Sequence, residues 1–499
     1  MKRRKKKNSE FTSFLRNLPE DEVTTVNHFF QNFSKHCALN KKGTELLRKD
    51  FENALLHYHS VGTPLEKALE LLSIENLGGF YIRPPILWYT LDDAAKIYPL
   101  SMKPGQMEMF RLSVYLKENV IPVLLQMALN FTIKRFPSFA TTVKKGFFWH
   151  YLDTAKRRYN VKPETGPPCK PLNIARSASQ TFRVIWHQNR ISVEFFHILT
   201  DGAGGMQFLK ALIAEYLRLC GVESGEEGIM KRNDLPTAEE IANEFFRTET
   251  TEKGNGFMDM PATQMSGKLS KTKPCQVIHF RMDATSLKKA AHEHEATITA
   301  YVLSKMFLAT KATTDELDGT INIQVPVNMR KYYPSQTVRN FSLYCGIRFP
   351  MTEITDGPEL IRQITEQLKI KGSREAMGEM MNSAGKIVSM LRFIPLVIKS
   401  PVAKAIYGFL SDGIFTTRLS NMGVVTMPQK YADHIQSMDF LLGPAVLNRA
   451  TCTIITFGNT ATLSITKMTT DPSFEEALFR FFCEDGIIPE VEGSSLYGN

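Results

Sequence analysis

Between Thr181 and Cys220 the spacing of apolar and polar positions changes period once. Residues 182–187 and 191–196 alternate or run apolar with β-branched and aromatic side chains, which predicts two paired strands. Gln188-Asn189 between them is a tight turn. From Phe208 the period turns helical. Phe208, Leu209, Leu212, Ile213, Tyr216 and Leu217 recur at three and four residues and form one wide apolar face. Between strand and helix stand His197-Ile198-Leu199-Thr200-Asp201-Gly202 and the step Gly204-Gly205. A histidine is thus presented at a strand end, where a rigid side chain meets the rim of a sheet.

The same reading gives the rest of the chain an α/β order. Residues 10–75 read as helices, with Phe51, Ala54, Leu55 and Tyr58 on one side of the first clear one. Thr63-Pro64-Leu65-Glu66 is a capping box that opens a helix to about Ile74. Phe110, Leu112, Val114 and Leu116 alternate with Arg111, Ser113 and Tyr115, as in a half-buried strand. Pro122 opens a helical run to Ile133, a hairpin is expected around Gly146, and Gly166-Pro167-Pro168 is a loop. From Gly221 to Pro274 the chain turns polar, with one helical piece at Ala238 to Phe246. The pattern then restarts with a strand at Val277 to Met282 and helices to about Leu308. An alternating strand from Thr320 ends in Asn328-Met329-Arg330, Gly458-Asn459 turns a hairpin, and Ser473-Phe474-Glu475-Glu476 caps a last helix. These breaks divide the chain into a basic tip and helical extension (1–75), a first α/β half (76–220), a polar linker (221–274) and a second α/β half (275–499).

Composition narrows the function. The chain has 499 residues, enough for two or three sizeable cores. Of the formal net charge of +10, Lys2-Arg3-Arg4-Lys5-Lys6-Lys7 supplies six, so 10 − 6 leaves the body only +4. The tip reads as a disordered, solvated tail, and the body suits an anionic small partner while giving no sign of nucleic-acid binding. The seven cysteines are scattered without a C-x-x-C pair, which points to reduced thiols in a cytoplasmic protein. The apolar region Ile387 to Leu410 is interrupted by Arg392, Pro395, Lys399, Pro401 and Lys404, short of the roughly 20 continuous residues of a membrane span. His57 and His59 are an H-x-H pair on a helix, where two residues' separation turns them to different sides, and His292/His294 sit at a helix C-terminus, where cations are favoured, so no metal site is expected at either.

Taken alone, His197 reads as either a packed histidine or a presented base, and Asp201 as a helix N-cap. The string H-x-x-x-D-G at a strand-to-helix junction resembles the motif of the chloramphenicol-acetyltransferase-like acyltransferases, which include condensation domains and alcohol acetyltransferases. Their usual motif begins with two histidines; here Phe196 stands first and His197 holds the second position, the one that acts as base in that family. Asn328-Met329-Arg330 at a strand end resembles the family's arginine that pairs with the motif aspartate, with Lys331 and Arg339 as neighbouring cations that could serve instead. Thr416 to Gly423, with Ser420-Asn421-Met422-Gly423, resembles the S-N-x-G segment of bacterial alcohol-acetyltransferase-like proteins, and Tyr89 to Pro99 their entry segment. Ser420 or Asn421 could then donate to an oxyanion, and an Asn-Gly type of turn explains them equally. No segment resembles the D-F-G-W-G of plant acyltransferases or a carrier-protein or adenylation signature.

The resemblance implies two mixed-sheet α/β halves arranged as a V, with a channel between them holding His197 and the structural residues Asp201, Gly202 and Arg330. It implies acyl-coenzyme A as co-substrate, no tightly bound cofactor, and a small alcohol or amine acceptor. His197 would act as general base in a ternary complex, without an acyl-enzyme, because histidine exchanges a proton near neutral pH. Two other readings stay open. One is acylation of a lipid, glycolipid or natural-product intermediate at a membrane, with Ile387 to Leu410 as a peripheral face. The other is a decayed binding or scaffold protein. Acyl chain, acceptor and oligomeric state are not written in these motifs.

Overall fold

The computed structural model describes residues 2–81, 87–101, 107–154, 157–173, 180–247, 260–316, 318–399, 401 and 413–498. Two mixed sheets carry the fold. The first has five strands in the order Ile435–Leu442, Met109–Leu116, Arg190–Phe196, Phe182–His187 and Val161–Pro163. Only the last pair in that order is parallel. The second has seven, in the order Ser342–Pro350, Thr320–Asn328, Thr417–Val425, Ala450–Phe457, Thr460–Lys467, Gln276–Asp283 and Glu490–Gly493. Thr417–Val425 runs parallel to both of its neighbours there. A small three-stranded sheet joins Trp88–Thr90 to the expected hairpin, Thr141–Lys145 and His150–Thr154.

Alternation in Met109–Leu116 has a different cause from the one the sequence suggests. Phe110 stacks on Phe195 with ring centroids 5.1 Å apart, within the core that also holds helices Pro122–Thr132 and Gly202–Leu219. The opposite face is buried as well. Arg111 reaches Glu194 at 2.5 Å and Glu164 at 2.7 Å, and Ser113 accepts from Ser192 at 2.9 Å. Tyr115 donates to Asp439 at 2.8 Å, and Asp439 lies 3.7 Å from His279 of the second sheet. A polar face here marks contact between two sheets, where every buried charge has a partner.

The break at 275 does not separate the sheets. Ile435–Leu442, far along the second half, pairs antiparallel with Met109–Leu116 of the first. Met438 and Phe440 enter the first core and Asp439 faces the second sheet, so this strand can fill only a position between them. Ile455 and Phe457 also belong to the first core.

The extension forms helices Lys2–Asn17, Glu20–His36, Lys41–Ser60 and Leu65–Leu71. The basic tip, expected as a tail, continues the first of these as helical backbone. Phe51 meets Phe131 at 6.1 Å, Tyr58 donates to the Leu219 carbonyl at 2.6 Å, and buried Asp50 takes Arg158 at 2.5 Å. Neither capping box forms. Leu65–Leu71 begins after Pro64 with no side-chain cap, and the last helix, Ser473–Glu484, begins after Pro472 in the same way. The helix expected at Ala238 to Phe246 shrinks to Glu244–Arg247. Glu240 is bound to Arg135 at 2.6 Å and its carbonyl accepts from the Val338 N–H, interactions that hold this stretch as turns instead of a helix.

Candidate active site

Strand Arg190–Phe196 ends at Phe196, which is buried in the core; His197 follows, half-buried, its backbone N–H donating to the Glu108 carbonyl at 2.9 Å. The imidazole lies between Tyr98 and Phe110, whose ring centroids stand 4.9 Å and 5.3 Å away. Burial pushes the Tyr98 phenol well above its ordinary value, so it stays neutral at the histidine. Nδ1 of His197 lies 2.9 Å from Oδ1 of Asn340.

Behind Asn340 stands a buried carboxylate. Asp92 Oδ2 accepts from the Asn340 backbone N–H at 3.2 Å and from its Nδ2 at 3.5 Å. Arg339 lies 3.0 Å from the other carboxylate oxygen. The carboxylate requires the NH₂ end of the amide to face it, so the oxygen end faces His197. Nδ1 must then be the protonated nitrogen, and Nε2 carries the lone pair. Burial pushes the Asp92 carboxyl up to about 6, against the pull of Arg339 and the Asn340 donors.

Asp201 caps helix Gly202–Leu219, accepting from the Gly204 N–H at 3.0 Å. Its second oxygen accepts from Arg330 at 2.8 Å and from the Phe341 N–H at 2.7 Å. Burial would raise this carboxyl, but Arg330 and those donors hold it below the ordinary carboxylate range. Arg330 also donates to the carbonyls of Thr337 at 2.9 Å and Arg339 at 2.7 Å. Between those two residues, the Val338 carbonyl accepts from Thr200 at 2.6 Å. The 337–341 loop, which carries Asn340, is therefore clamped by the first half from one side and by Arg330 from the other. The glycines make room for the clamp. A Cβ on Gly204 would stand 2.0 Å from the Val338 carbonyl oxygen, and one on Gly202 would stand 2.7 Å from Met422 Cε.

The sequence-based candidates fall into two groups. His197, Asp201, Gly202 and Arg330 lie around one loop. Arg339 braces Asp92 and the Thr90 carbonyl, while Lys331 is exposed beside Tyr332. Asn421 is taken by its own turn: it donates to Thr299 at 2.9 Å and accepts from the Gly423 N–H at 2.7 Å, with Gly423 at φ +75°. Ser420 is half-buried on the same strand face as Arg418, which lies 3.6 Å from Glu108 beside the histidine. Asn340, Asp92 and Tyr98 are missed by the sequence reading, although the last two fall within the Tyr89 to Pro99 stretch it singled out. Among the described residues no group of three or more histidines, cysteines or acids gathers as a metal site. A polar cavity of about 890 Å³ opens between the sheets beside Arg190 and His279. It lies at the far end of the histidine's strand, roughly 20 Å away, and is not part of this site.

No protein-family model matches the sequence, and no curated protein matches it. Solved structures do. A trichothecene 15-O-acetyltransferase from Fusarium sporotrichioides superposes with TM-score 0.55 at 10% identity, over 80% of this chain and 94% of that one. Polyketide synthase associated protein 5 from Mycobacterium tuberculosis gives 0.53 at 12%, over 79% and 97%. The starter condensation domain of rhizomide synthetase, in complex with C8-CoA and Leu-SNAC, gives 0.50 at 12%, over 80% and 93%. The chain shares its fold with this acetyltransferase and this condensation domain. The helical extension precedes its first sheet.

Proposed function

We propose that the protein transfers an acyl group from acyl-coenzyme A to a hydroxyl of a small acceptor, in the manner of an alcohol acetyltransferase, with His197 as general base. An amine is the alternative nucleophile. The observation that carries this reading is the Asn340 oxygen on Nδ1 of His197, which leaves Nε2 as the proton acceptor. The acceptor oxygen attacks the thioester carbon as its proton passes to Nε2. The tetrahedral intermediate collapses by breaking the C–S bond, and the imidazolium returns the proton to the departing coenzyme A sulfur. General base action of this kind is worth about 10²–10⁴ in rate. Both substrates are present together and no acyl-enzyme forms. The C8-CoA held by the rhizomide condensation domain supports a coenzyme A thioester as donor.

Asp201, Gly202 and Arg330 serve as positioning residues that hold the 337–341 loop against the histidine. The turn contacts of Asn421 favour a structural role for it, which leaves Ser420 as the oxyanion candidate of that strand. Phe196 at the first histidine position speaks for packing and not for decay, since it is buried in the core while His197 keeps its polar partners. The test is coenzyme A thiol release over a panel of acyl donors and alcohols. Release that needs the acceptor and yields the ester supports the reading; acceptor-independent release with acyl label on the protein contradicts it.

A further inference from the structure

Two segments far apart in the chain form an apolar surface at one pole of the molecule. The hairpin between Thr141–Lys145 and His150–Thr154 presents Phe147, 72% exposed, and Phe148. Following helix Arg374–Met390, a turn presents Phe393 at 74% and Val397 at 85%, flanked by exposed Met390 and Ile398. Side chains of this size normally point inward, and an exposed contiguous patch of them marks a contact surface. The patch is also built to persist. The Leu396 N–H donates to the Phe147 carbonyl at 2.8 Å, Phe148 meets Phe393 at 6.5 Å, and buried Lys399 lies 3.3 Å from the Trp149 ring centroid. The backbone is fixed while the apolar tips face water.

The charges that these two segments carry next to the tips have one sign. Lys145, Lys386 and Arg392 are exposed beside them, and the sequence has no acidic residue from 119 to 152 or from 380 to 411. Aromatic and aliphatic tips flanked by cations on their own segments suit an interface that is apolar below and anionic above, as a bilayer of acidic lipid is. Among the described residues no helix is long and apolar enough to cross a membrane, so contact would be at the surface. We propose that this pole docks on anionic lipid bilayers, with Phe147, Phe393 and Val397 in the headgroup–acyl boundary and Lys145, Lys386 and Arg392 against the headgroups. Docking does not depend on acyl transfer. It would turn the Trp149 side of the molecule to the bilayer, where Lys96 of the segment leading to Tyr98 and His197 lies 5.4 Å from the Trp149 ring centroid.

The test is cosedimentation of the full chain with vesicles of phosphatidylcholine alone or mixed with phosphatidylglycerol, at low and at high salt. Binding is expected on the mixed vesicles and should weaken with salt. The exposed double variant Phe147→Ser/Phe393→Ser should melt as the wild type does and bind on the order of a hundredfold more weakly. Lys145→Glu/Arg392→Glu, which keeps the apolar tips, should lose the preference for phosphatidylglycerol. Three results would each overturn the proposal. The wild type fails to bind mixed vesicles, or the serine variant binds them as tightly. Light scattering shows a dimer that the serine variant abolishes, so that a second copy of the chain covers the patch.

Discussion

At the scale of single residues the account turns on which nitrogen of His197 carries a proton. The Asp92 carboxylate orients the Asn340 amide, and the amide oxygen assigns the proton to Nδ1. Asn340→Leu removes that assignment while keeping side-chain bulk. We expect kcat to fall about 10–100-fold with KM for the donor little changed, as for a positioning residue. Steady-state kinetics with the donor varied at saturating acceptor separates the two constants. Asp92 adds a pH signature. Its carboxyl rises from an ordinary 3.8 to about 6 in the folded chain, so the folded state holds this proton more tightly than the unfolded one. The group's contribution is present below the ordinary value and is lost as pH rises through about 6, a drop on the order of 1–3 kcal/mol. Urea melts of wild type and Asp92→Asn across that window should diverge, the variant lacking this slope. Parallel curves would remove Asp92 as the titrating group.

At the scale of elements, the critical joint is helix Gly202–Leu219 against the 337–341 loop. Asp201→Ala leaves Arg330 facing only carbonyls and uncaps the helix. The expected loss lies toward the lower end of roughly 3–5 kcal/mol, since two backbone carbonyls and the Asn328 side-chain oxygen still receive the guanidinium, and activity should fall with it. Gly204→Ala tests the same joint from the other side. Its Cβ would meet the Val338 carbonyl oxygen at 2.0 Å, so the loop must shift and carry Asn340 off His197. Thermal melting and the transfer assay, run together on both variants, check this coupling; a Gly204→Ala protein with full activity contradicts it. The strand–histidine–helix unit is legible in sequence because its two periods meet at a glycine step. Arg330 is legible as a strand-end residue because it closes an alternating strand. Asn340 and Asp92 are not legible. Each sits in an aperiodic segment, and its role arises from a contact between residues 248 apart in the chain. The capping boxes misled for a related reason: proline before the first turn already ends the preceding segment, and the hydroxyl has no cap to make.

At the scale of the molecule, the two sheets are interlocked. Ile435–Leu442 belongs by sequence to the second half and by pairing to the first, so the halves are not expected to fold as separate pieces. Sequence periodicity reports that a strand is amphipathic; it does not report which sheet receives it. The helical extension is similarly integrated, through Phe51, Tyr58 and Asp50. Removing residues 1–9 leaves Phe11 and Phe14 in the core and should change neither melting temperature nor transfer rate. Removing 1–75 exposes the Phe131 and Leu219 surfaces and should give insoluble protein. A soluble, active product of that longer deletion would show the extension to be dispensable.

The central claim, that this fold transfers acyl groups with His197 as base, is tested most directly by the His197→Ala protein. The side chain is half-buried and its removal leaves the loop clamp untouched, so the variant should melt close to the wild type. Acceptor-dependent coenzyme A release should fall by about 10²–10⁴. Release at the wild-type rate from a folded His197→Ala protein would contradict the account.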